Sequence, residues 1–299
     1  MLGIDAMNRH NFKKKFIIGS ANFTQKYGAD TTKINRNEIK KILNFAKKNN
    51  INTIDTADTY YAADTYLKEK DIFKKIDKNF QFIAKVDADE KWVSFDYSKK
   101  KIDKYFKIFN GKKVQALLIH YPDILFKNEG KKIFKNLEIL KERNYFKNIG
   151  LSIYDPECLN HLVSKYNFDV IQCPYNILDR RIISSGLFDK LKDRGVEIHI
   201  RSIFLQGLLV NEQVYKKRYF KKWKKFFFEW FQNLKNNSIS PIDYCLSDLL
   251  DYNFDKIIIG VNNCENLKGV VNFKLIKDRD KLLKMKINDL KLIDPRNWK

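Results

Sequence analysis

Residues 51–60, INTIDTADTY, join a short apolar run to two side chains capable of acid–base chemistry, Asp55 and Tyr60. The next two apolar runs along the chain are each followed at once by an ionisable side chain, first Lys85 and then His120. In a parallel barrel the carboxyl ends of the strands meet at one mouth, and the chemistry takes place there. The four side chains are therefore predicted to share one active site.

Short apolar runs alternate with amphipathic stretches along the whole chain, which is typical of a parallel sheet with crossover helices. Predicted helices include residues 37–48, 131–141 and 156–165, with Asp155 as a candidate N-cap of the third. No Gly-x-Gly-x-x-Gly follows the first strand, so a doubly wound dinucleotide fold is not favoured. The prediction is an α/β fold, a single (β/α)8 TIM barrel that forms one domain over residues 1–299. Its eight predicted strands are residues 16–18, 51–54, 80–84, 114–119, 146–151, 168–172, 196–200 and 256–259.

Residues 215–235 interrupt this alternation with aromatic side chains set among lysines, and they are predicted to form an extra helix inserted after the seventh strand. The favoured interpretation is a helix packed across the barrel with its lysines in solvent. A basic amphipathic helix that binds a membrane surface or an acidic partner is the alternative. Most of the apolar residues share one helical face: Tyr219, Phe220, Trp223, Phe226, Phe227, Trp230, Phe231 and Leu234.

The composition favours a cytoplasmic protein without a metal site. No apolar run approaches the roughly 20 residues that a membrane span needs. Residues 1–15 are polar and basic and do not resemble a secretory signal. The cysteines form no Cys-x-x-Cys pair and lie near no histidine at zinc-finger spacing, so reduced thiols are expected. They are Cys158, Cys173, Cys245 and Cys264.

The formal net charge is +22, from 58 Lys and Arg against 36 Asp and Glu. The lysines are spread over every amphipathic segment, so no specific nucleic-acid site is predicted. A field of one sign still attracts anionic small molecules, and phosphorylated cofactors and sugar nucleotides are anions. The charge therefore fits a small-molecule enzyme, and binding of nucleic acid or of a membrane surface is the least favoured hypothesis.

The sequence resembles the aldo-keto reductase superfamily over nearly its full length, and the tetrad of Asp55, Tyr60, Lys85 and His120 carries most of the resemblance. The resemblance implies a barrel that binds NADP(H) or NAD(H) and transfers hydride to the carbonyl of a small molecule. A bacterial branch linked to surface polysaccharides is the best match, which implies an anionic or sugar-derived substrate. The segments that match this branch are residues 18–23, 27–28, 149–152, 172–176, 204–209, 259–263 and 293–298.

Elementary chemistry gives each tetrad residue a role. Hydride addition to a carbonyl leaves a developing alkoxide that needs a proton, and Tyr60 is the expected donor. A free phenol has a pKa of about 10, so Lys85 is expected to lower it by stabilising the phenolate, with Asp55 as the partner of Lys85. His120 is expected to hydrogen-bond to the carbonyl oxygen. Taken singly, Asp55 could be a helix cap, Lys85 a surface residue at a strand end and His120 a residue of the barrel rim. The order of the tetrad residues on consecutive strands favours catalysis.

The resemblance also implies where the cofactor binds. Ser152 and Gln172 match positions whose side chains hold the nicotinamide carboxamide, and Asn176 lies at the same rim. Residues 262–266 open a helix whose backbone amides suit the adenosine phosphate. The full set of candidate cofactor residues is Ser152, Gln172, Arg201, Ser202, Gly260, Asn262 and Asn263.

Four positions depart from the family pattern. Tyr61 stands in place of a Gly after the catalytic Tyr, and Ile153 in place of an Asn that contacts the carboxamide. Arg201 stands in place of an aromatic residue that stacks on the nicotinamide, and we expect it to bind an anionic substrate. Asn262 stands in place of the basic residue that clamps the ribose 2′-phosphate of NADPH, which leaves Lys268 one turn later. The choice between the two cofactors stays open.

A pseudoenzyme of the same fold, which binds the nucleotide and regulates another protein, is the main alternative. Tyr61 and Ile153 favour it, whereas an intact tetrad does not, because a protein without catalysis has no need of all four side chains. The sequence gives no indication of the oligomeric state.

Overall fold

Eight parallel strands pair in chain order and close into a barrel through the pairing of the first strand with the last. The computed structural model describes residues 11–24, 34–60, 72–74, 76–276, 287 and 289–298. The expectations on residues 27–28 and Tyr61 lie outside this part of the chain. The strands are β1 Phe16–Gly19, β2 Thr53–Ala57, β3 Gln81–Val86, β4 Val114–Ile119, β5 Asn148–Ser152, β6 Val170–Pro174, β7 Glu197–Arg201 and β8 Lys256–Ile259.

Helices surround the barrel, and their apolar sides pack against the outward-facing residues of the strands. Within the described residues, none of them has the length and apolar content that a membrane crossing requires. The helices are α1 Ala21–Thr24, α2 Arg36–Lys48, α3 Phe95–Phe106, α4 Gly130–Glu142, α5 Glu157–Lys165, α6 Arg181–Ser184, α7 Leu187–Asp193, α8 Glu212–Tyr215, α9 Lys224–Asn236, α10 Pro241–Asp248, α11 Cys264–Val271 and α12 Leu290–Ile293.

All eight predicted strands are present, and the barrel prediction is confirmed. The bounds of β4 and β8 agree with the sequence pattern, while β2 begins two residues later than predicted and extends past Asp55. The apolar pattern marks burial, and Ile51 is buried, but the ladder with β3 starts only at Thr53. Asp55 therefore lies inside β2 instead of closing it. The three helices predicted over residues 37–48, 131–141 and 156–165 are present within one residue of those bounds.

The barrel interior alternates with the exterior along each strand, as the period of two residues requires. A small apolar cluster fills the interior below the mouth: Ile17, Ile83, Ala116, Leu118, Val170 and Ile258. Residues two positions further along the same strands point the same way, among them Lys85, His120 and Gln172. The alternation thus sets polar side chains at the carboxyl mouth directly above an apolar floor.

The insertion at residues 215–235 is built mainly from two elements instead of one helix. Residues 218–223 form a 3-10 turn, and α9 begins at the next residue. The two elements are separate because the backbone at Trp223, with φ −107° and ψ 12°, is not helical. The aromatic side is buried in a second apolar cluster that also holds Tyr244 of α10 and Leu292 of the tail. The aromatic side is thus buried, as the favoured interpretation expects, but in two elements instead of one helix, and it packs on the loops after β6 and β7, on α10 and on the tail.

Gly150 of β5 allows its neighbours on β4 and β6 to pack closely against it, because it has no side chain. A Cβ atom at this position would lie 2.2 Å from Cδ2 of Leu118 and 2.5 Å from the carbonyl oxygen of Val170. We expect Gly150→Ala to lower the free energy of unfolding by about 1–3 kcal/mol, because an overpacked core forces its neighbours to move. Chemical denaturation of the purified protein measures this change.

Gly260→Ala is the matched control, because a Cβ at Gly260 meets nothing within 4 Å. Its free energy of unfolding should stay within about 0.5 kcal/mol of the wild type. Equal stability of the two variants would contradict the steric role of Gly150.

Candidate active site

The site is centred on a buried ion pair between Asp55 of β2 and Lys85 of β3. Lys85 is 2% exposed and Asp55 4% exposed. The Lys85 ammonium donates to Oδ1 of Asp55, and Nε2 of Gln172 donates to Oδ2 at 2.7 Å, so the carboxylate is held from two sides. Burial lowers the pKa of Lys85, and the Asp55 carboxylate opposes that change. The ammonium is thus fixed in place inside the barrel mouth.

Tyr60 lies on the 3-10 turn of residues 58–60 that follows β2, and its side chain is partly exposed. Nζ of Lys85 is 5.6 Å from the centre of the Tyr60 ring. The rings of Tyr60 and His120 are nearly perpendicular, with centroids 6.1 Å apart and an interplanar angle of 85°. The structure therefore brings the four predicted tetrad side chains together around one space.

His120 follows β4 and is 7% exposed. Its Nδ1 lies 3.3 Å from the Thr59 hydroxyl, and its ring stacks on Tyr121 at 4.5 Å between centroids. Burial lowers the pKa of His120 to about 3, helped by the positive charges of Lys85 and Arg201. The imidazole is therefore neutral at physiological pH and can hydrogen-bond to a carbonyl oxygen without adding a further charge.

A cavity of about 380 Å³ opens at this mouth and extends from the tetrad to the start of α11. Asp55 and Tyr60 line one side of it. Of the seven candidate cofactor residues, Arg201, Ser202, Gly260 and Asn262 line the cavity. A larger depression of about 1130 Å³ lies at the opposite end of the barrel, beside the amino ends of β4 and β5, and no tetrad residue lines it.

Ser152 ends β5 and pairs in register with Gln172, which is buried in the middle of β6 and not at its end as the sequence pattern predicts. Gln172 donates to Asp55, while its Oε1 has no hydrogen-bond partner among the described residues. Oδ1 of Asn22, which lines the cavity, is a second buried acceptor without a partner in that part of the chain. Buried acceptors of this kind need N–H donors. A carboxamide supplies two, and Asn22 is the acceptor that lines the cavity and fits such a group, whereas Ser152 and Gln172 do not line it.

The loop after β8 contacts the cavity through Asn262 but not through Asn263. Oδ1 of Asn262 accepts a hydrogen bond from Asn22 at 3.0 Å. Asn263 is the exposed N-cap of α11, and its side chain accepts from the amide of Asn266 at 2.8 Å. Lys268 pairs with Glu265 at 2.6 Å. The side chain of Asn263 is therefore engaged in capping the helix.

Arg201 ends β7 and lines the cavity. Its guanidinium carbon lies 3.9 Å from the centre of the Tyr154 ring, and Nη2 donates to the carbonyl of Ile153 at 2.8 Å. Within the described residues it has no carboxylate partner, whereas Arg296, which lies over the same ring at 4.1 Å, pairs with Asp294. Arg201 is thus a partly buried cation beside the tetrad with its charge uncompensated there.

The loop after β7 holds three non-glycine residues in the left-handed backbone region. The φ angles are 62° at Ser202, 45° at Leu205 and 51° at Gln206. Such conformations cost roughly 1–3 kcal/mol each and concentrate at functional sites. Ser202 and Gln206 both line the cavity, so the strained backbone belongs to its wall.

Two further positions singled out from the sequence, Asn176 and Ile153, are buried. The side-chain oxygen of Asn176 accepts from the amides of Leu178 and Asp179, while its Nδ2 donates to the carbonyl of Ser202 in the cavity wall at 3.2 Å, so it joins its own loop to the rim. Ile153, in place of an Asn, is packed in the main core.

Sequence reasoning gave no role to Asn22, Thr59 or Tyr154, and only their nearness to the motifs could have singled them out. Their contacts to Asn262, His120 and Arg201 all join distant parts of the chain.

A family model described as the Aldo/keto reductase family matches residues 15–281. A comparison with curated proteins gave no significant match.

Solved structures of similar fold cover most of the chain. An aldo-keto reductase from Bacillus halodurans in its holo form has a TM-score of 0.67 and 16% identity, and the match covers 92% of this chain and 94% of that one. A glycerol dehydrogenase from Gluconobacter oxydans has a TM-score of 0.65 and 16% identity, with 89% of each chain covered. A thermostable aldo-keto reductase in complex with the inhibitor epalrestat has a TM-score of 0.65 and 20% identity, with 89% and 93% covered. At these identities the likeness is one of fold.

Asp58, in the same turn as Tyr60, makes the free energy of unfolding of the protein depend on pH. Burial raises the pKa of Asp58 to about 6, although its carboxylate accepts from the Asp87 amide. The folded state therefore binds this proton more tightly than the unfolded state, and stability falls as pH rises from about 4 to about 6. We expect Asp58→Asn to be more stable than the wild type by about 1–3 kcal/mol at about pH 7.5, and the gap to close near about pH 4. Urea denaturation at both pH values measures it.

Asp77→Asn is the control for Asp58→Asn, and it should be less stable than the wild type at neutral pH. An ion pair with Lys47 lowers the pKa of Asp77, so its contribution to stability is present at neutral pH and is lost in acid. A stability gap between wild type and Asp58→Asn that does not change with pH would contradict the assignment.

Proposed function

The chain belongs to the aldo/keto reductase family, whose members are NAD(P)-dependent oxidoreductases, and we propose that it reduces the carbonyl group of a small anionic molecule with Tyr60 as the proton donor. The observation that carries the proposal is the buried pair of Lys85 and Asp55 with its ammonium 5.6 Å from the Tyr60 ring. We further propose that residues 1–299 form one catalytic domain. A cytoplasmic location is also proposed, since all four cysteines are free thiols.

Each of the four tetrad side chains has a separate role in the proposed reduction of the carbonyl. The neutral His120 orients the carbonyl oxygen by a hydrogen bond and stabilises the charge that develops on it. Tyr60 then gives its hydroxyl proton to that oxygen, and the phenolate it leaves is stabilised by the Lys85 ammonium. Asp55 keeps the ammonium charged and in place. Solvent returns a proton to Tyr60 through its exposed side.

The proposed cofactor is NADPH or NADH. Bound in the cavity, its reduced nicotinamide would supply the hydride that adds to the carbonyl carbon. Ser152, Gln172 and Asn22 would hold the carboxamide, which has the N–H donors that the two free acceptors need. Ser202, Gly260 and Asn262 would line the rest of the dinucleotide path. These assignments to individual residues are part of the proposal.

Arg201 supports an anionic substrate, of which a sugar acid or a sugar phosphate would be an example. A guanidinium is always charged, and placing that charge in a cavity wall near a second cation costs free energy unless an anion balances it. The charge of Arg201 also contributes to the lowered pKa values of Lys85 and His120. Arg201 is therefore close enough to the tetrad to act on it electrostatically. An anionic group on the substrate would balance this charge.

Tyr60→Phe tests the proton donor. Turnover of an aromatic aldehyde with NADPH or NADH should fall by about 10²- to 10⁴-fold in kcat/KM, because the general acid is removed. Cofactor affinity, followed by dinucleotide fluorescence, should stay within about twofold, because the phenol acts on the substrate.

Tyr145→Phe is the matched control, since Tyr145 also has a lysine nitrogen, Nζ of Lys99, 5.6 Å from its ring centre. It lies away from the mouth and should keep wild-type turnover. Dinucleotide binding without turnover by the wild type would favour the pseudoenzyme, and equal turnover by Tyr60→Phe and the wild type would exclude Tyr60 as the acid.

Arg201→Leu tests the anionic substrate. KM for an aldehyde that carries a carboxylate should rise by about 10- to 100-fold, as expected for the loss of a charge-assisted hydrogen bond. KM for a neutral aldehyde of similar size should change by less than about threefold. Arg296→Leu should have a smaller effect on the anionic aldehyde, because Asp294 already balances Arg296. Equal changes for both aldehydes in Arg201→Leu would refute this specificity.

A further inference from the structure

The amino end of α11 is occupied by acceptors from the chain itself. Three backbone amides at this end donate to side chains: Asn262 to Asn266 at 3.3 Å, Cys264 to Glu38 at 2.7 Å, and Asn266 to Asn263 at 2.8 Å. The amides that a helix start normally offers to a phosphate are therefore largely satisfied.

Glu38 differs from the other two acceptors because it carries a full charge and comes from a distant helix. It lies in the first turn of α2, 226 residues before Cys264, and its Oε2 is 3.3 Å from Lys41. The hydrogen bond from the Cys264 amide is the main cause that lowers the pKa of Glu38, so the carboxylate is ionised at neutral pH. It thus places a negative charge at the positive end of the α11 dipole.

The lysines that face this carboxylate are already balanced. Lys41 pairs with Glu38 and Lys268 pairs with Glu265, and both lysines contribute to the lowered pKa of Glu38. Two carboxylates and two ammonium groups therefore sum to no net charge at the helix start. A second phosphate there would meet no excess of positive charge.

The cavity connects this helix start to the tetrad. Beyond Tyr60 and Arg201 its lining continues along Gly260, Asn262, Asn266 and Val270 of the β8 loop and α11. A dinucleotide with its reactive ring at Tyr60 would therefore place its other end beside Asn262 and Asn266, which lie two residues before and after Cys264, whose amide donates to Glu38.

We propose that Glu38 makes the protein select NADH over NADPH, an inference that rests on the proposed function. The ribose of NADH has a free 2′-hydroxyl, which can donate a hydrogen bond to a carboxylate. The ribose of NADPH carries a phosphate at that position, which repels the same carboxylate and finds its amide donors taken. Asn262, where the family pattern has a basic residue, adds no cation.

The test compares NADH and NADPH binding by fluorescence titration of the wild type and Glu38→Gln. The amide oxygen of Gln can still accept from the Cys264 amide, so the fold of the helix start is preserved. The wild type should bind NADH at least about tenfold more tightly than NADPH, and Glu38→Gln should tighten NADPH binding by about tenfold while NADH changes by less than about twofold. Thermal unfolding of both proteins checks that Glu38→Gln is folded.

Glu138→Gln is the matched control, because Glu138 forms the same kind of i, i+3 pair, with Lys135, on an outer helix. It should change neither affinity. Tighter binding of NADPH than NADH by the wild type, or an equal shift of both cofactors in Glu38→Gln, would overturn this inference and leave the reductase intact. Failure of all three proteins to bind either dinucleotide would overturn the proposed function and the inference with it.

Discussion

The burial of Lys85 is the constraint on which the rest of the mouth depends. An ammonium that is 2% exposed is tolerated only with a close anion and full hydrogen bonding. Asp55 provides the anion, and Gln172 holds the second oxygen of Asp55, so β2, β3 and β6 are tied together by three side chains. Replacing one partner alone would leave a charge buried without compensation.

The charge balance at the mouth follows from that pair. Asp55 neutralises Lys85, but Arg201 adds a positive charge that no carboxylate in the described residues offsets. His120 is neutral, because burial and the two positive charges lower its pKa to about 3. Under the proposed function, a positive mouth would disfavour the cationic oxidised nicotinamide and favour an anionic substrate, so the same charge would act on both substrate and cofactor. An anion bound to Arg201 would relieve this conflict.

The insertion at residues 215–235 holds the tail of the chain in place beside the mouth. The Tyr219 hydroxyl donates to the carbonyl of Lys291 at 2.7 Å, and the Trp298 ring packs against Phe220 at 4.8 Å between centroids. These contacts hold the tail against the insertion, and Arg296 of the tail reaches the Tyr154 ring that Arg201 also contacts. The aromatic residues of the insertion thus act at a distance, by fixing the segment that borders the site.

The sequence by itself determined the eight strands and the barrel and predicted the four tetrad positions, because apolar runs of period two and the polar residues beside them are local features. It did not determine that Asp55 lies within β2, since strand bounds depend on ladder partners in β3. Nor did it indicate that Gln172 binds Asp55 or that Glu38 caps Cys264, which are contacts over 117 and 226 residues. Only the closed barrel decides such contacts, because the hydrogen-bond partner of a buried group is set by which strands and helices become neighbours in space.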